Sequence, residues 1–339
     1  MGNGIISKRT PVSLSSVARA LLIFALLCPL QANAVDYDKY PVLKELIQTM
    51  VSEDGYPLAE LQGVLNTANI DESTLDLMDR QYESLPWYKY RKIFINQNRI
   101  DKGVRFFNTH QRILEEANRK FGVSAVLIAA LIGVETHYGT RMGGKRVLDS
   151  LVTLSAEYPR RSPFFTSELR TFLNSTRREK IDPTSVMGSF AGAIGIPQFM
   201  PSSYEAYAVD FNGNGRRDLV NEFEDAIGSV ANYLKSHGWE RSQTIYAKVT
   251  GPLSEAAAGF VTRKAKPTVK REDLFAAGIL FDTELSSEKV ALLALKEENG
   301  NRHIVGFKNF YAITRYNPSV NYAMAVTELA EAIHRANHE

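Results

Sequence analysis

Glu135 closes an almost unbroken apolar stretch, Ser124-Ala-Val-Leu-Ile-Ala-Ala-Leu-Ile-Gly-Val-Glu-Thr-His-Tyr-Gly139. Every position from 125 to 134 is apolar or glycine, so a helix here is buried on all sides rather than on one face. Ser124 suits the N-cap and Gly139 the position just past the C-terminus. Such a helix delivers Glu135 where the core opens, and there desolvation and the negative end of the helix dipole both disfavour a charged carboxylate. The expectation is a carboxyl that keeps its proton near neutrality and acts as a general acid on a glycosidic oxygen. From these residues alone a plainer alternative stays open: a glutamate that reaches solvent or pairs with Arg141. His137 does not turn the segment into a zinc site, because Glu-x-His lacks the His-x-x-x-His spacing that sets two ligands on one helix face.

A second stretch could present polar groups to a ligand: Gly188-Ser-Phe-Ala-Gly-Ala-Ile-Gly-Ile-Pro-Gln-Phe-Met-Pro201. Its glycines and prolines forbid a regular helix, while the apolar residues between them imply a packed loop that carries Gln198. A tight structural corner is the alternative. Ser202 and Glu205 stand at the spacing of a capping box for the helix that follows. In Tyr158-Pro-Arg-Arg-Ser-Pro163 two arginines lie between prolines, suited to anionic groups or to an ordinary exposed loop. Asp210-Phe-Asn-Gly-Asn-Gly-Arg-Arg-Asp218 opens like a calcium loop, with Asp210, Asn212 and Asn214 at positions one, three and five and the Arg216 carbonyl at seven. Position twelve is Asn221, so the closing carboxylate is expected from Glu224 or Asp225, with weak affinity and a structural role. A metal-free Asn-Gly turn is the alternative.

These groups need a scaffold, and 339 residues with 44% hydrophobic and 23% charged content suffice for two or three compact units with a real core. Lys8, Arg9 and Arg19 precede an apolar run from Ala20 to Leu30, and Ala32-Asn-Ala34 has cleavage-site spacing, so residues 1–34 read as a signal peptide. That run is too short to span a bilayer. The single cysteine, Cys28, follows Leu27 where a lipidation signal has a small residue, so a lipid anchor is not expected. A mature chain without cysteine has no disulfide, and its charge balance does not call for nucleic acid. Residues 35–110 read as a helical cap and 111–242 as the main helical unit, with the oxygen-rich loop at 210–225. Residues 243–310 read as a small β-containing unit, with strands near 244–249, 290–295 and 303–307 and a hairpin turn at Glu298-Asn-Gly-Asn301. Residues 311–339 end in a helix with Ala323 and Met324 inward.

Gly-Val-Glu-Thr-His-Tyr-Gly around Glu135, Tyr-Pro-Arg-Arg, Ser-Phe-Ala-Gly-Ala-Ile-Gly-Ile-Pro-Gln-Phe-Met-Pro-Ser-Ser-Tyr and Asp-Ala-Ile-Gly-Ser-Val-Ala-Asn-Tyr together resemble the lytic murein transglycosylases of the B type, in order from about Pro86 onward. The resemblance implies a mainly α (α+β) fold, with a lysozyme-like helical core, the N-terminal cap and the small β-containing unit. It implies that Glu135 protonates the oxygen between N-acetylmuramic acid and N-acetylglucosamine, then takes a proton from the muramyl 6-hydroxyl as that closes on C1 to a 1,6-anhydro sugar. By matching position, Ser189, Gln198, Tyr233 and Asn317 would hydrogen-bond the sugars, Tyr90, Met200, Tyr316 and Tyr322 would line the cleft, and Arg160 and Arg161 would face carboxylates. Asp210, Asn212, Asn214, Arg216 and Asp225 would hold a structural calcium ion, with no cofactor for catalysis. Pro197 stands where the family has glycine. Glycan strands of peptidoglycan are the expected partner of a monomeric periplasmic enzyme, with other cell-wall enzymes as further partners. A hydrolase that uses water and an inactive wall-binding module are the alternatives.

Overall fold

The computed structural model describes Met1 and residues 35–79, 85–281 and 288–339. The segment from 2 to 34, read as a signal peptide and containing Cys28, lies outside the described residues. Helices α1 (Pro41–Ser52), α2 (Leu58–Leu65) and α3 (Glu72–Met78) come first. Proline at the first position of α1 and the Asp71 carboxylate on the Ser73 N–H (3.1 Å) set two of their starts. Then follow α4 (Trp87–Phe94), α5 (Gln97–Thr109), α6 (Gln111–Phe121) and α7 (Ala125–Thr136). A short antiparallel pair, β1 (Lys145–Arg146) with β2 (Met187–Gly188), brackets α8 (Val147–Glu157) and α9 (Ser162–Glu179).

Residues 35–110, expected as one cap, divide between two cores. Leu43, Leu46, Met50, Leu61 and Leu65 from α1 and α2 pack with Leu148, Leu151, Val152, Phe165, Leu169 and Phe172 of α8 and α9. Arg170 on α9 grips Asp54 (2.5 Å) and Glu53 (2.9 Å), and Lys145 reaches Asp71 (2.6 Å), so charge pairs reinforce that contact. In contrast, Trp87, Tyr90 and Phe106 of α4 and α5 join the core around α7.

The segment expected to be buried on all sides forms α7, whose residues are buried except for partial exposure at Val126 and Glu135. Helices α5, α6, α11 (Phe223–Ser236) and α15 (Val320–Ala336) pack around it. Among the described residues no single helix is long and apolar enough to cross a membrane. Between α9 and α11 runs the glycine-rich loop, followed by α10 (Pro201–Tyr207). The expected Ser202/Glu205 capping box is not formed. Met200 is the N-cap and Pro201 opens α10; the Ser202 N–H (2.8 Å) and hydroxyl (2.6 Å) instead donate to Glu168, a carboxylate only 3% exposed. A side chain from the neighbouring helix has thus taken the capping role that a local residue was expected to fill.

The β-containing unit holds β3 (Tyr246–Thr250), α12 (Glu255–Ala258), β4 (Val261–Thr262), β5 (Val269–Lys270), α13 (Arg271–Ala276), β6 (Leu280–Phe281), β7 (Lys289–Glu297) and β8 (Gly300–Gly306). The strand order is β4-β7-β8-β3-β6, with β5 also on β7. Glu297 pairs with Gly300, so the hairpin turn is Glu298-Asn299 and Gly300, at φ +96°, opens β8 rather than sitting mid-turn. The chain then forms α14 (Lys308–Thr314) and returns through α15 to the side of α7.

Candidate active site

The end of α7 is sharper than the sequence suggests. Gly139 was expected just past the helix, but the left-handed turn begins at His137 (φ 52°) and continues through Tyr138 (φ 62°) and Gly139 (φ 78°). Left-handed backbone is costly for residues with a Cβ, so packing has to hold it. Tyr138 supplies that packing: its ring lies so close to Gly133 that a Cβ there would come 2.5 Å from the ring, and its hydroxyl donates to the Arg99 carbonyl at 2.9 Å. Arg99, only 8% exposed, donates in turn to the Gly133 carbonyl, placing a cation where the helix carbonyls end. Ser124 occupies the N-cap as expected, though its side chain makes no capping bond.

Glu135 is half-buried at this mouth, and Tyr322 on α15 donates its hydroxyl to Glu135 Oε1. Tyr322 stacks with Tyr316 (6.5 Å between ring centroids, 13° between planes), Tyr316 lies 4.7 Å from Tyr233, and Phe199 packs against both at 5.8 and 5.5 Å. Burial, and then the charge of Glu135, hold the Tyr316 and Tyr322 phenols well above their usual range. Burial pushes Tyr233 up to about 12. These phenols therefore stay protonated and remain donors. Tyr316 donates to the Pro197 carbonyl at 2.6 Å and Tyr233 to the Arg315 carbonyl at 2.5 Å, so each fixes a turn and offers mainly its ring. Tyr90, buried between Trp87 and Phe94, is close enough to influence the ionisation of Tyr322.

The glycine-rich loop consists of two tight turns locked by bridges between Gly188 and Ile194 and between Ile194 and Phe199. Gly195, at φ +72°, has no room for a side chain, since a Cβ would lie 2.4 Å from the Leu219 carbonyl. Gln198 was expected to present its amide. Its Nε2 donates to the carbonyls of Met142 (3.0 Å) and Gly195 (2.8 Å). The Ser189 hydroxyl accepts from the N–H groups of Ala191 (3.3 Å) and Ala193 (3.0 Å). Thr136, beside Glu135 and fully buried, donates to the Ile196 carbonyl at 2.8 Å and thereby ties this loop to the end of α7. Nothing in the sequence singled out Thr136.

The remaining expected residues lie on other segments. Arg160 and Arg161 are exposed on the 3-10 turn Pro159–Arg161 between α8 and α9, with the Arg161 guanidinium over the rings of Phe164 (4.4 Å) and Phe165 (5.1 Å). Met200 packs against the α8/α9 core, and the Asn317 carbonyl accepts from Ser319 N–H at 2.8 Å where α15 begins. Asp149, the nearest candidate for a second acid, accepts from the Asn69 N–H at 3.0 Å and neighbours Arg146, so it is scaffold.

At the oxygen-rich loop Asp210 accepts the N–H groups of Gly213 (2.8 Å), Asn214 (3.0 Å) and Gly215 (2.7 Å). Asp225 is fully buried, and its oxygens accept backbone N–H groups of Phe211 (2.8 Å), Asn212 (3.4 Å) and Asp218 (2.9 Å), so it anchors the loop. The carboxylate that faces Asn212 (2.6 Å) and Asn214 (2.9 Å) is Glu222, which sequence reasoning passed over although it adjoins position twelve. Half-turns of those two amides would present oxygens instead. Asp210, Asn212, Asn214, the Arg216 carbonyl and Glu222 then make an all-oxygen set that suits a hard divalent cation. Among the described residues no group of three or more His, Cys, Asp or Glu could hold a metal ion, so amide and carbonyl oxygens must complete any site.

Residues 38–331 match the family model described as Transglycosylase SLT domain. The chain is 41% identical over 309 residues, 88% of its length and 84% of the relative's, to membrane-bound lytic murein transglycosylase B of Escherichia coli (strain K12). It is similar to the solved structure of the Escherichia coli lytic transglycosylase Slt35 in complex with calcium, at 40% identity and TM-score 0.82, covering 92% of this chain and 99% of that one. It is also similar to SltB3 from Pseudomonas aeruginosa in complex with NAG-anhNAM-pentapeptide, at 28% identity and TM-score 0.74, covering 86% and 78%. With the lysozyme-like architecture and an acid at the end of its buried helix, the chain belongs to the lytic murein transglycosylases, a family of peptidoglycan-cleaving lyases.

Proposed function

We propose that this enzyme cleaves the β-1,4 bond between N-acetylmuramic acid and N-acetylglucosamine in glycan strands and releases a 1,6-anhydromuramyl product, with Glu135 as acid and then base. The supporting observation is the pairing of Glu135 with Tyr322 at the edge of an aromatic cleft, where a phenol that stays protonated donates to Oε1. Glu135 gives its proton to the departing glucosamine oxygen as the bond to muramyl C1 breaks. It then removes the proton from the muramyl 6-hydroxyl, whose oxygen bonds to C1. The carboxyl ends as it began and no water is consumed. Attack from within the same sugar needs no second carboxylate and gains from proximity.

Tyrosine rings at Tyr233, Tyr316 and Tyr322 suit sugar faces, with Tyr90 and Met200 extending the cleft. Ser189, Gln198 and Asn317 hydrogen-bond the sugars, and Arg160 and Arg161 meet lactyl or peptide carboxylates. Asp210, Asn212, Asn214, Arg216 and Glu222 hold a structural calcium ion that neutralises Asp210 and Glu222; it takes no part in bond cleavage. Residues 1–34 direct export to the periplasm. The test is mass spectrometry of muropeptides released from purified sacculi: the anhydro product is one water lighter than the hydrolytic one. Products carrying that extra water would make the enzyme a hydrolase, and binding to sacculi without release of fragments would exclude both activities.

A further inference from the structure

We infer that Thr136 is a positioning residue for Glu135, a link through which the glycine-rich loop and the oxygen-rich loop behind it fix where the acid points. The inference rests on Glu135 being the acid. A threonine in the last turn of a helix ordinarily donates to the carbonyl four residues back. Here that carbonyl, Ile132, lies at 3.3 Å, while the Ile196 carbonyl lies at 2.8 Å on a different segment, so the one hydroxyl proton is directed out of the helix. The same oxygen accepts the Gly139 N–H at 3.0 Å and holds the left-handed turn that bares Glu135. Ile196 is engaged on its other side too, its N–H donating to the Leu219 carbonyl at 2.8 Å. Leu219 follows Asp218, whose N–H is held by Asp225 at 2.9 Å. One residue, Ile196, thus stands between the wall of the oxygen-rich loop and the residue next to the acid.

The buried site needs a β-branched side chain of this size, and valine would fill it equally well. The hydroxyl is therefore explained by its bonds and not by packing. Without them the last turn of α7 is free to rotate, and the Glu135 carboxyl drifts from Tyr322.

The test measures kcat, KM and the pH–rate profile for Thr136→Val, Thr136→Ser and Glu135→Gln on the same purified glycan strands, with circular dichroism and active-site occupancy by a tight inhibitor to count folded enzyme. Thr136→Val is expected to lower kcat about ten- to a hundredfold with KM little changed and the pH profile displaced. Thr136→Ser, which restores the donor, should return kcat to within roughly threefold of the parent. Thr136→Ala is read the same way if the valine variant does not fold. A folded valine or alanine variant with parental kcat and pH profile overturns the inference, as does a serine variant no better than valine. If Glu135→Gln is inactive in that case, the acid assignment survives alone; if Glu135→Gln remains active, both fail.

Discussion

Two carboxylates sit at the ends of two buried helices, Glu135 in the last turn of α7 and Asp225 in the first turn of α11, and they are held by different kinds of donor. Asp225 accepts three backbone N–H groups, those of Phe211, Asn212 and Asp218 in the loop that precedes α11. Burial still raises its pKa, and those donors only partly offset the rise. All its capacity goes into holding a loop. Glu135 accepts a side-chain hydroxyl from a distant helix, the neutral phenol of Tyr322 on α15. Asp225 is met by backbone and holds a loop in turn, whereas Glu135 is met by a side chain beside an aromatic cleft.

The largest expected effect is Glu135→Gln, which should lower turnover at least about a thousandfold while leaving the fold and sugar binding intact, as measured by glycan release and by calorimetric titration with muropeptide. Retained activity would break the contrast at its functional end. Asp225→Asn should do the reverse, costing about 2 kcal/mol of stability because one amide hydrogen would face N–H groups, with kcat per folded molecule within roughly threefold of the parent. Loss of turnover without loss of stability in that variant would place Asp225 in the chemistry. Removal of calcium with a chelator should lower Tm by roughly 2–5 °C in differential scanning calorimetry, and an unchanged Tm would mean the loop is stable without an ion.

The smallest effect concerns a carboxylate held by a cation. The Arg170 guanidinium beside Asp54 holds its carboxyl below the usual range. Its contribution is complete above the ordinary carboxylate pKa near about 4 and is lost as pH falls through the depressed native value, because the unfolded chain binds the proton first. Asp54→Asn should therefore flatten the fall of Tm below about pH 4 by roughly 2 °C, and an identical acid profile would show the pair to be idle.

What the sequence made legible was largely what neighbouring residues decide. Complete apolarity over residues 125–134 specified a helix buried on all sides with Glu135 at its mouth, and glycine and proline spacing specified a packed loop after Gly188. Contacts between distant segments were not legible. Glu168 caps α10 from 34 residues away, so a correct local capping box was outcompeted by a buried carboxylate. Tyr138 and Arg99 moved the end of α7 from Gly139 to His137 by packing that no short motif encodes. The amide of Gln198 was visible as a polar group, yet that its nitrogen braces the loop depends on where Met142 lies. Glu222 was missed for a different reason: the closing carboxylate was sought further along the loop, at Glu224 or Asp225, and Glu222 was passed over.

Glu135 and Tyr322 are 187 positions apart along the chain. Their meeting requires the closure of a very long segment, which makes it a late event in folding. A partly folded molecule with α7 already in its core but α15 undocked would hold Glu135 without the Tyr322 phenol. On the proposed mechanism, competence to cut would be acquired together with the completed fold.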